Sequence, residues 1–230
     1  MEPIQLKLPG DKDFFTEEAY KVLRTNLQFC GQDVHVIGIT SCNENDGKTT
    51  VALHIAKSFG DLDKRVLLID ADMRKSVLAG RNTTAQSPGG LSEVLTGMCP
   101  ITECLYPVMN SKMHILFSGQ YPPNPVELLN GKYFSSLINE CRKVYDYIII
   151  DTPPLGQVID AAVVAEKCDG MAMVIGNSKV HYRAAQEIVE QIEKTGCKML
   201  GVIRNNRKQN NKKYYYRKYY RQSMPKKTKY

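Results

Sequence analysis

Short apolar runs rich in β-branched residues recur along the body of this chain, at 34–40, 65–70, 113–117, 147–151, 171–176 and 199–203. Each predicts a β-strand. Between them the segments 48–59, 125–144, 158–168 and 180–195 carry the longer mixed pattern of helices, so the chain reads as repeated βα units around a mainly parallel sheet. Ile148, Ile149 and Ile150 are apolar in succession, as a central strand covered by helices on both faces requires. A further helix over 16–29 precedes the first strand, with Thr16 placed to cap it and Glu17 and Glu18 favourable to its dipole. The segment 80–90, rich in Gly, Ser, Thr and Asn, predicts a mobile loop, and no internal repeat is visible.

The last residues break this pattern. Tyr214, Tyr215, Tyr216, Tyr219 and Tyr220 follow neither a helical nor a strand period, and from Tyr214 to Tyr230 the tyrosines are interleaved with Lys and Arg without one acidic residue. Such a stretch cannot bury enough apolar surface to offset chain entropy, which predicts a disordered tail. The tail also accounts for the net charge of +7: eleven of the 31 Lys and Arg lie between Arg204 and Tyr230, leaving twenty against 24 acidic residues elsewhere. The body therefore carries about −4, and only the tail is cationic.

With 230 residues and 43% apolar content, the chain supports one sizeable α/β domain with a short appendage and excludes a second full domain. Seven cysteines, an odd number with no Cys-x-x-Cys spacing, point to a reducing compartment and away from a disulfide or zinc framework. The first twelve residues lack the apolar core of a signal sequence, and no stretch approaches the roughly eighteen apolar residues of a membrane span. The expectation is a chain soluble by itself.

The sharpest chemical signal is the stretch from Cys42 to Thr50, directly after a predicted strand and opening a predicted helix. This is the context of a P-loop. Backbone N–H groups of Asn43, Glu44, Asn45, Asp46, Gly47, Lys48, Thr49 and Thr50 would surround phosphates, Lys48 would add charge at the β- and γ-phosphates, and the Thr49 hydroxyl would ligate Mg²⁺. Cys42 stands where the simplest form of the motif has Gly. Two further runs, Leu67-Leu68-Ile69-Asp70-Ala71-Asp72-Met73-Arg74 and Ile148-Ile149-Ile150-Asp151-Thr152-Pro153-Pro154, place carboxylates immediately after three apolar residues. In an open parallel sheet the carboxyl ends of the strands gather around the ligand crevice, where such carboxylates can hold the metal of a triphosphate.

These residues resemble the bacterial tyrosine kinases (BY-kinases) that regulate capsule and exopolysaccharide synthesis, and the resemblance covers nearly the whole chain. That family combines a Walker A loop, a second motif of three apolar residues followed by D-x-D-x-R, and a Walker B strand ending D-[ST]-P-P. The matching stretches are Ser41 to Thr50, Leu67 to Arg74 and Ile148 to Pro154. The family also has an E-x-x-R-x-x-R helix used between subunits, a P-P-N-P-x-E-L-L segment and a C-terminal tyrosine cluster. Here these are Glu18-x-x-Lys21-x-x-Arg24, Pro122 to Leu129, and the tail. Lys21 replaces the middle Arg, which removes a bidentate donor, and the loop lacks the Pro-Gly frequent before Gly-Lys.

The resemblance implies an ATP- and Mg²⁺-dependent protein-tyrosine kinase on a single P-loop NTPase domain. It assigns residues 1–33 to an N-terminal segment and oligomerisation helix, 34–206 to the kinase domain and 207–230 to the tail. It implies Lys48, Asp70, Asp72 and Asp151 as the catalytic set, with Asp72 accepting or orienting the phenol proton, and Thr49, Asp70 and Asp151 around the metal. It further implies Asn205 at the adenine base, Glu18, Lys21 and Arg24 at a subunit contact, and Tyr214, Tyr215, Tyr216, Tyr219, Tyr220 and Tyr230 as acceptors phosphorylated in trans. The implied partners are a transmembrane polysaccharide co-polymerase acting as activator, further copies of the chain in a ring, and protein substrates of polysaccharide synthesis. The implied location is cytoplasmic and peripheral at the inner face of the cell membrane.

Two other classes share some of these features. A partitioning or division-site ATPase would use the same P-loop and bind membrane or nucleic acid through the basic tail, but its usual second lysine, five positions before Lys48, is Asn43 here. Consecutive tyrosines also present no apolar helical face to a bilayer. Nucleic-acid binding by stacking and cationic contact suits the tail but finds no continuing basic groove on an acidic body.

Overall fold

The computed structural model describes residues 3–6, 8, 14–82, 89–176 and 180–205, and it gathers the apolar runs into one seven-stranded sheet. In chain order the strands are β1 (Val36–Ser41), β2 (Val66–Asp70), β3 (Leu105–Pro107), β4 (Met113–Leu116), β5 (Tyr147–Asp151), β6 (Gly170–Ile175) and β7 (Lys198–Arg204). Their spatial order is β3-β4-β2-β5-β1-β6-β7, and every pair is parallel except β3 with β4. The helices are α1 (Phe14–Phe29), α2 (Lys48–Gly60), α3 (Leu78–Asn82), α4 (Leu91–Leu95), α5 (Pro125–Asn130), α6 (Lys132–Val144), α7 (Asp160–Ala165) and α8 (Tyr182–Lys194), with one 3₁₀ turn at Ile101–Glu103.

Alternation along the central strands divides the core between the two faces of the sheet. Leu68 and Ile149 join Val51, Ile55 and Phe59 of α2 and Leu27 of α1 in one cluster. Leu67, Ile69, Ile148 and Ile150 join Leu129 of α5 and Phe134, Leu137 and Ile138 of α6 in another. Both faces are dry, which is why these strands carry no polar alternation. A third cluster packs Met171 and Met173 of β6 under Ala161, Ala162 and Ala165 of α7 and Ile188 and Ile192 of α8. Full burial of a side chain such as Ile149, with no exposed surface, stabilises the fold by about 1.5–3 kcal/mol before packing is counted.

Two expectations are corrected, a third lies largely outside the described residues, and one strand is new. Helix α1 begins two residues earlier than Thr16, so Thr16 lies inside the first turn and does not cap it. The long segment 125–144 is two helices, because Gly131 takes an extended conformation (φ −68°, ψ 158°) between α5 and α6 while the apolar spacing continues on both sides. Of the loop expected over 80–90, Gly80 belongs to α3 and Gly90 directly precedes α4, and 83–88 lie outside the described residues. Strand β3 was not anticipated; three residues ending in Pro107 give too short a pattern, and it pairs antiparallel at the sheet edge. No helix among the described residues is long and apolar enough to cross a membrane.

Candidate active site

The carboxyl ends of β1, β2 and β5 converge, and the loop from Cys42 to Gly47 joins β1 to α2 above them. Two residues of this loop have positive φ, Asn45 at 63° and Gly47 at 90°. The loop is tied internally: Ser41 Oγ donates to Asn43 O at 2.8 Å, and Asn43 N donates to Asp46 Oδ2 at 3.0 Å. Gly47 occupies the N-cap position of α2 and no side chain caps the helix. Its first-turn N–H groups are thereby left for an anion, where the helix dipole adds about half a positive charge.

Gly47 is the residue that only glycine can fill. A Cβ there would sit 2.1 Å from Asn205 Nδ2, and the left-handed φ would cost a further ~1–2 kcal/mol. Asn205 cannot move aside freely, because its Nδ2 donates to Asp46 O at 3.0 Å and its backbone N to Ile175 O at 2.8 Å. Gly47→Ala is therefore expected to lower stability by about 1–3 kcal/mol and to weaken nucleotide binding at least tenfold. Urea unfolding and titration with a fluorescent nucleotide would measure both; a wild-type midpoint and affinity would contradict the geometry.

Under the loop lies a buried charge cluster. Asp70 and Asp151 are cross-strand partners at the ends of β2 and β5, each 1% exposed. Lys48 Nζ reaches from the first residue of α2 to Asp72 Oδ2 at 3.0 Å. Burial pushes the Asp70 carboxyl up to about 8, with the Asp151 charge adding to the rise and hydrogen bonds from Ser76 Oγ (2.5 Å) and Asp72 N (3.2 Å) opposing it. Burial likewise lifts Asp151, to about 6, against the pull of Lys48 and Thr49. For Lys48, desolvation acts to lower the pKa, but the charges of Asp151, Asp72 and Asp70 and the bond to Asp72 outweigh it and hold the ammonium above its ordinary value.

The cluster is incomplete as it stands. Both carboxylate oxygens of Asp151 are buried without a hydrogen bond of ordinary geometry, although the Thr49 hydroxyl is near enough to favour the charged form. A buried acceptor pair of this kind is costly unless something positive is supplied. Thr49, Asp70 and Asp151 are hard oxygen donors of the type that suits Mg²⁺, which keeps phosphate and water oxygens among its ligands. Among the described residues, no three His, Cys, Asp or Glu side chains form a group that could hold a metal ion by themselves.

The structure thus brings Asn43 through Thr50, Asp70, Asp72, Asp151 and Asn205 to one end of the sheet. Asn205 is placed against the phosphate loop, bracing Asp46. Glu18, Lys21 and Arg24 lie elsewhere, on α1, where Arg24 meets Ser58, ten residues along α2 from Lys48 and about 15 Å of helix rise away. Lys21 pairs with Glu18 at 2.7 Å on the surface. Arg24 instead turns inward, its Nη1 donating to Ser58 O at 2.6 Å and Ser58 Oγ at 3.1 Å. The six tail tyrosines and the 207–230 segment lie outside the described residues.

Several supports escaped the sequence reading. Ser76 holds Asp70. Lys75 N donates to Asp72 Oδ1 at 3.0 Å, so Asp72 is held at both oxygens. Thr40 Oγ1 donates to Pro153 O at 3.0 Å and accepts from Leu155 N at 3.2 Å, stitching the turn after β5 to β1. That turn presses on the phosphate loop so closely that a Cβ on Gly156 would lie 2.3 Å from Cys42 O. Arg74 Nε donates to buried Asp160 Oδ1 at 2.9 Å, anchoring the D-x-D-x-R stretch to α7. An Asp opening a helix is ordinary, and nothing in the sequence marked this one.

Comparison with known proteins bears on the chain as a whole. Residues 34–197 match the AAA domain family. The chain is similar to the tyrosine-protein kinase CpsD of Streptococcus pneumoniae, 40% identical over 189 residues that cover 82% of this chain and 83% of that protein. It is similar to the CpsD of Streptococcus agalactiae at 37% over 190 residues, 83% of each. Among solved structures, the kinase domain of Escherichia coli tyrosine kinase ETK superposes with a TM-score of 0.78 at 30% identity, covering 84% of this chain and 78% of that one.

Proposed function

The chain belongs to the bacterial tyrosine-protein kinases and carries their nucleotide-binding AAA domain, and on that premise we propose that it transfers the γ-phosphoryl group of ATP to tyrosines of its own C-terminal cluster, in trans, in the control of capsule or exopolysaccharide synthesis. The observation that carries the reading is the set of buried Asp70, Asp72 and Asp151 with half-buried Lys48 beneath the open N-terminus of α2. Mg²⁺ held by Thr49, Asp70 and Asp151 would screen the phosphate charge that α2 and Lys48 do not neutralise.

The residues divide the work as follows. First-turn N–H groups of α2 bind and orient the β-phosphate. Lys48, drawn to the phosphates, leaves Asp72. The freed Asp72 carboxylate can then accept the proton of the attacking phenol, whose ordinary pKa of about 10 requires such help. The phenol oxygen bonds to the γ-phosphorus as the bond to ADP breaks, and Lys48 stabilises the negative charge that spreads over the transferred group. Without nucleotide, the Lys48–Asp72 pair keeps base and phosphate ligand mutually engaged. The relatives that cover most of this chain are tyrosine-protein kinases, which displaces the partitioning-ATPase reading.

The tail suits the acceptor role on composition. In the sequence it follows soon after Asn205, which touches the phosphate loop. Eight residues lie between Asn205 and Tyr214, a reach of at most about 30 Å. That reach allows a neighbouring site as well as the chain's own. Complete phosphorylation of six tyrosines at about −1.5 to −2 each would nearly cancel the eleven basic residues, and this swing would govern association with other copies, with protein substrates and with a membrane-bound activator at the inner face of the membrane.

The test pairs two variants. Wild-type chain, ATP, Mg²⁺ and the cytoplasmic segment of a candidate activator should phosphorylate the tail of a Lys48→Met chain, read by anti-phosphotyrosine blot, with an initial rate that rises with total protein concentration. Replacing all six tail tyrosines by Phe should abolish self-labelling while preserving labelling of an added tyrosine peptide. Self-labelling that persists in the Phe variant would refute the assignment of acceptors. A rate independent of concentration, with no labelling of the Lys48→Met chain, would refute transfer in trans. Unchanged assembly of the Phe variant in ATP would refute the charge swing.

A further inference from the structure

Between α4 and β3 the fold brings two of the seven cysteines together. Cys104 Sγ donates to Cys99 Sγ at 2.9 Å, inside the about 3.5–4.0 Å at which even the smaller carbon atoms pack without bonding. A disulfide places its sulfurs at roughly 2.05 Å, so closure requires an approach of only about 1 Å. The backbone holds both residues in place: Met98 N and Cys99 N donate to Glu93 O at 2.9 and 3.3 Å, and Cys104 N donates to Ile101 O at 2.9 Å. The 3₁₀ turn Ile101–Glu103 doubles the chain back so that two cysteines five positions apart face one another.

Gly89 completes the enclosure. A Cβ there would lie 3.1 Å from Cys104 Sγ and 3.4 Å from Cys99 Cβ, so the backbone covers the sulfur pair on that side. Access is one-sided, because Cys104 is fully buried while Cys99 is half-buried beside exposed Met98 and Pro100. Glu93 and Glu103 raise the Cys104 thiol further above its ordinary range, after burial and the Cys99 contact, which suits Cys104 as the second thiol to react. No third His, Cys, Asp or Glu among the described residues joins the pair as a metal cluster.

We infer that Cys99 and Cys104 form a reversible thiol–disulfide pair, oxidised by a small-molecule disulfide that reacts first at Cys99. The Cys99 thiolate attacks one sulfur of the oxidant, the oxidant's S–S bond breaks, and one thiolate leaves and takes up a proton. Cys104 then loses its proton and attacks Cys99 Sγ, forming the protein disulfide and expelling the second thiolate, which is protonated in turn. The protein loses two hydrogens and the oxidant becomes two thiols. The product braces the end of α4 against the start of β3.

The experiment uses the full chain, reduced and then equilibrated natively across mixtures of reduced and oxidised glutathione, quenched in acid, alkylated and digested with trypsin. No Lys or Arg lies between Arg81 and Lys112, so one peptide carries both cysteines and no others. Expected is a fraction of that peptide with neither label and a mass lower by two hydrogens, restored to two labels by dithiothreitol. In Cys104→Ser the same treatment should leave a stable glutathione adduct on Cys99, because the resolving thiol is gone. Two labels throughout the series, a lasting adduct in the wild type, or closure only in urea would overturn the inference. Native alkylation should also label Cys99 at least tenfold faster than Cys104, and the reverse order would overturn attack at Cys99.

Discussion

Lys48→Met is expected to reduce phosphoryl transfer by at least 10²- to 10³-fold in an anti-phosphotyrosine or radiolabel assay, the cost of removing one preorganised charge from a phosphoryl-transfer site. The structure adds a second consequence. Lys48 is the ammonium facing three carboxylates, Asp70, Asp72 and Asp151, and its side chain is only 14% exposed. Met keeps most of the stem volume but leaves Asp72 without its charged partner, held by the Lys75 N–H. The nucleotide-free variant should therefore lose on the order of 1–3 kcal/mol at pH 8 and recover much of it in mild acid, where the carboxylates bind protons. Activity loss with stability unchanged at every pH would show that the charge cluster is not balanced as the structure has it.

Asp70→Asn should separate activity from stability in opposite directions. Transfer should fall by about 10²-fold or more, because a carboxylate beside the phosphate site is gone. The nucleotide-free protein should become more stable above neutral pH. The sign follows from linkage: the folded Asp70 carboxyl holds its proton up to about pH 8, against 3.8 as its ordinary value. Protons are thus bound more tightly by the folded chain, stability is greatest below the ordinary value, and it is lost as pH rises towards 8. Between pH 6 and 8 this amounts to on the order of 2 kcal/mol in the wild type. Asp151, raised only to about 6, contributes mainly below that window. Urea unfolding of metal-free protein across pH 6–8 measures the effect; equal slopes for wild type and variant would contradict it.

The parts of the site that the sequence made legible are those built from neighbours in the chain. Gly47, Lys48 and Thr49 are consecutive, and a strand before them and a helix after them follow from apolar spacing alone. Asp70 and Asp151 each close a run of apolar residues, and a parallel sheet necessarily brings such ends to one edge. Illegible parts depend on large separations. Asn205 and Asp46 are 159 residues apart, and Thr40 and Pro153 are 113 apart; no local pattern encodes either meeting. The break at Gly131 was hidden because helical spacing persists through it, and the inward turn of Arg24, assigned by resemblance to a subunit contact, was hidden because its partner Ser58 lies 34 residues away.

By itself the sequence determined the alternation of strand and helix, the phosphate loop and the acidic strand ends, because backbone hydrogen bonding and apolar burial act over a few residues. Only the tertiary structure decided how charge is shared among them. Strand order sets Asp70 beside Asp151, turns Lys48 onto Asp72 and leaves the Asp151 oxygens without a hydrogen bond of ordinary geometry, and in a low-dielectric interior those placements fix which carboxyls are protonated. Protonation at that site is a property of distances across the sheet, which neighbouring residues in a chain cannot specify.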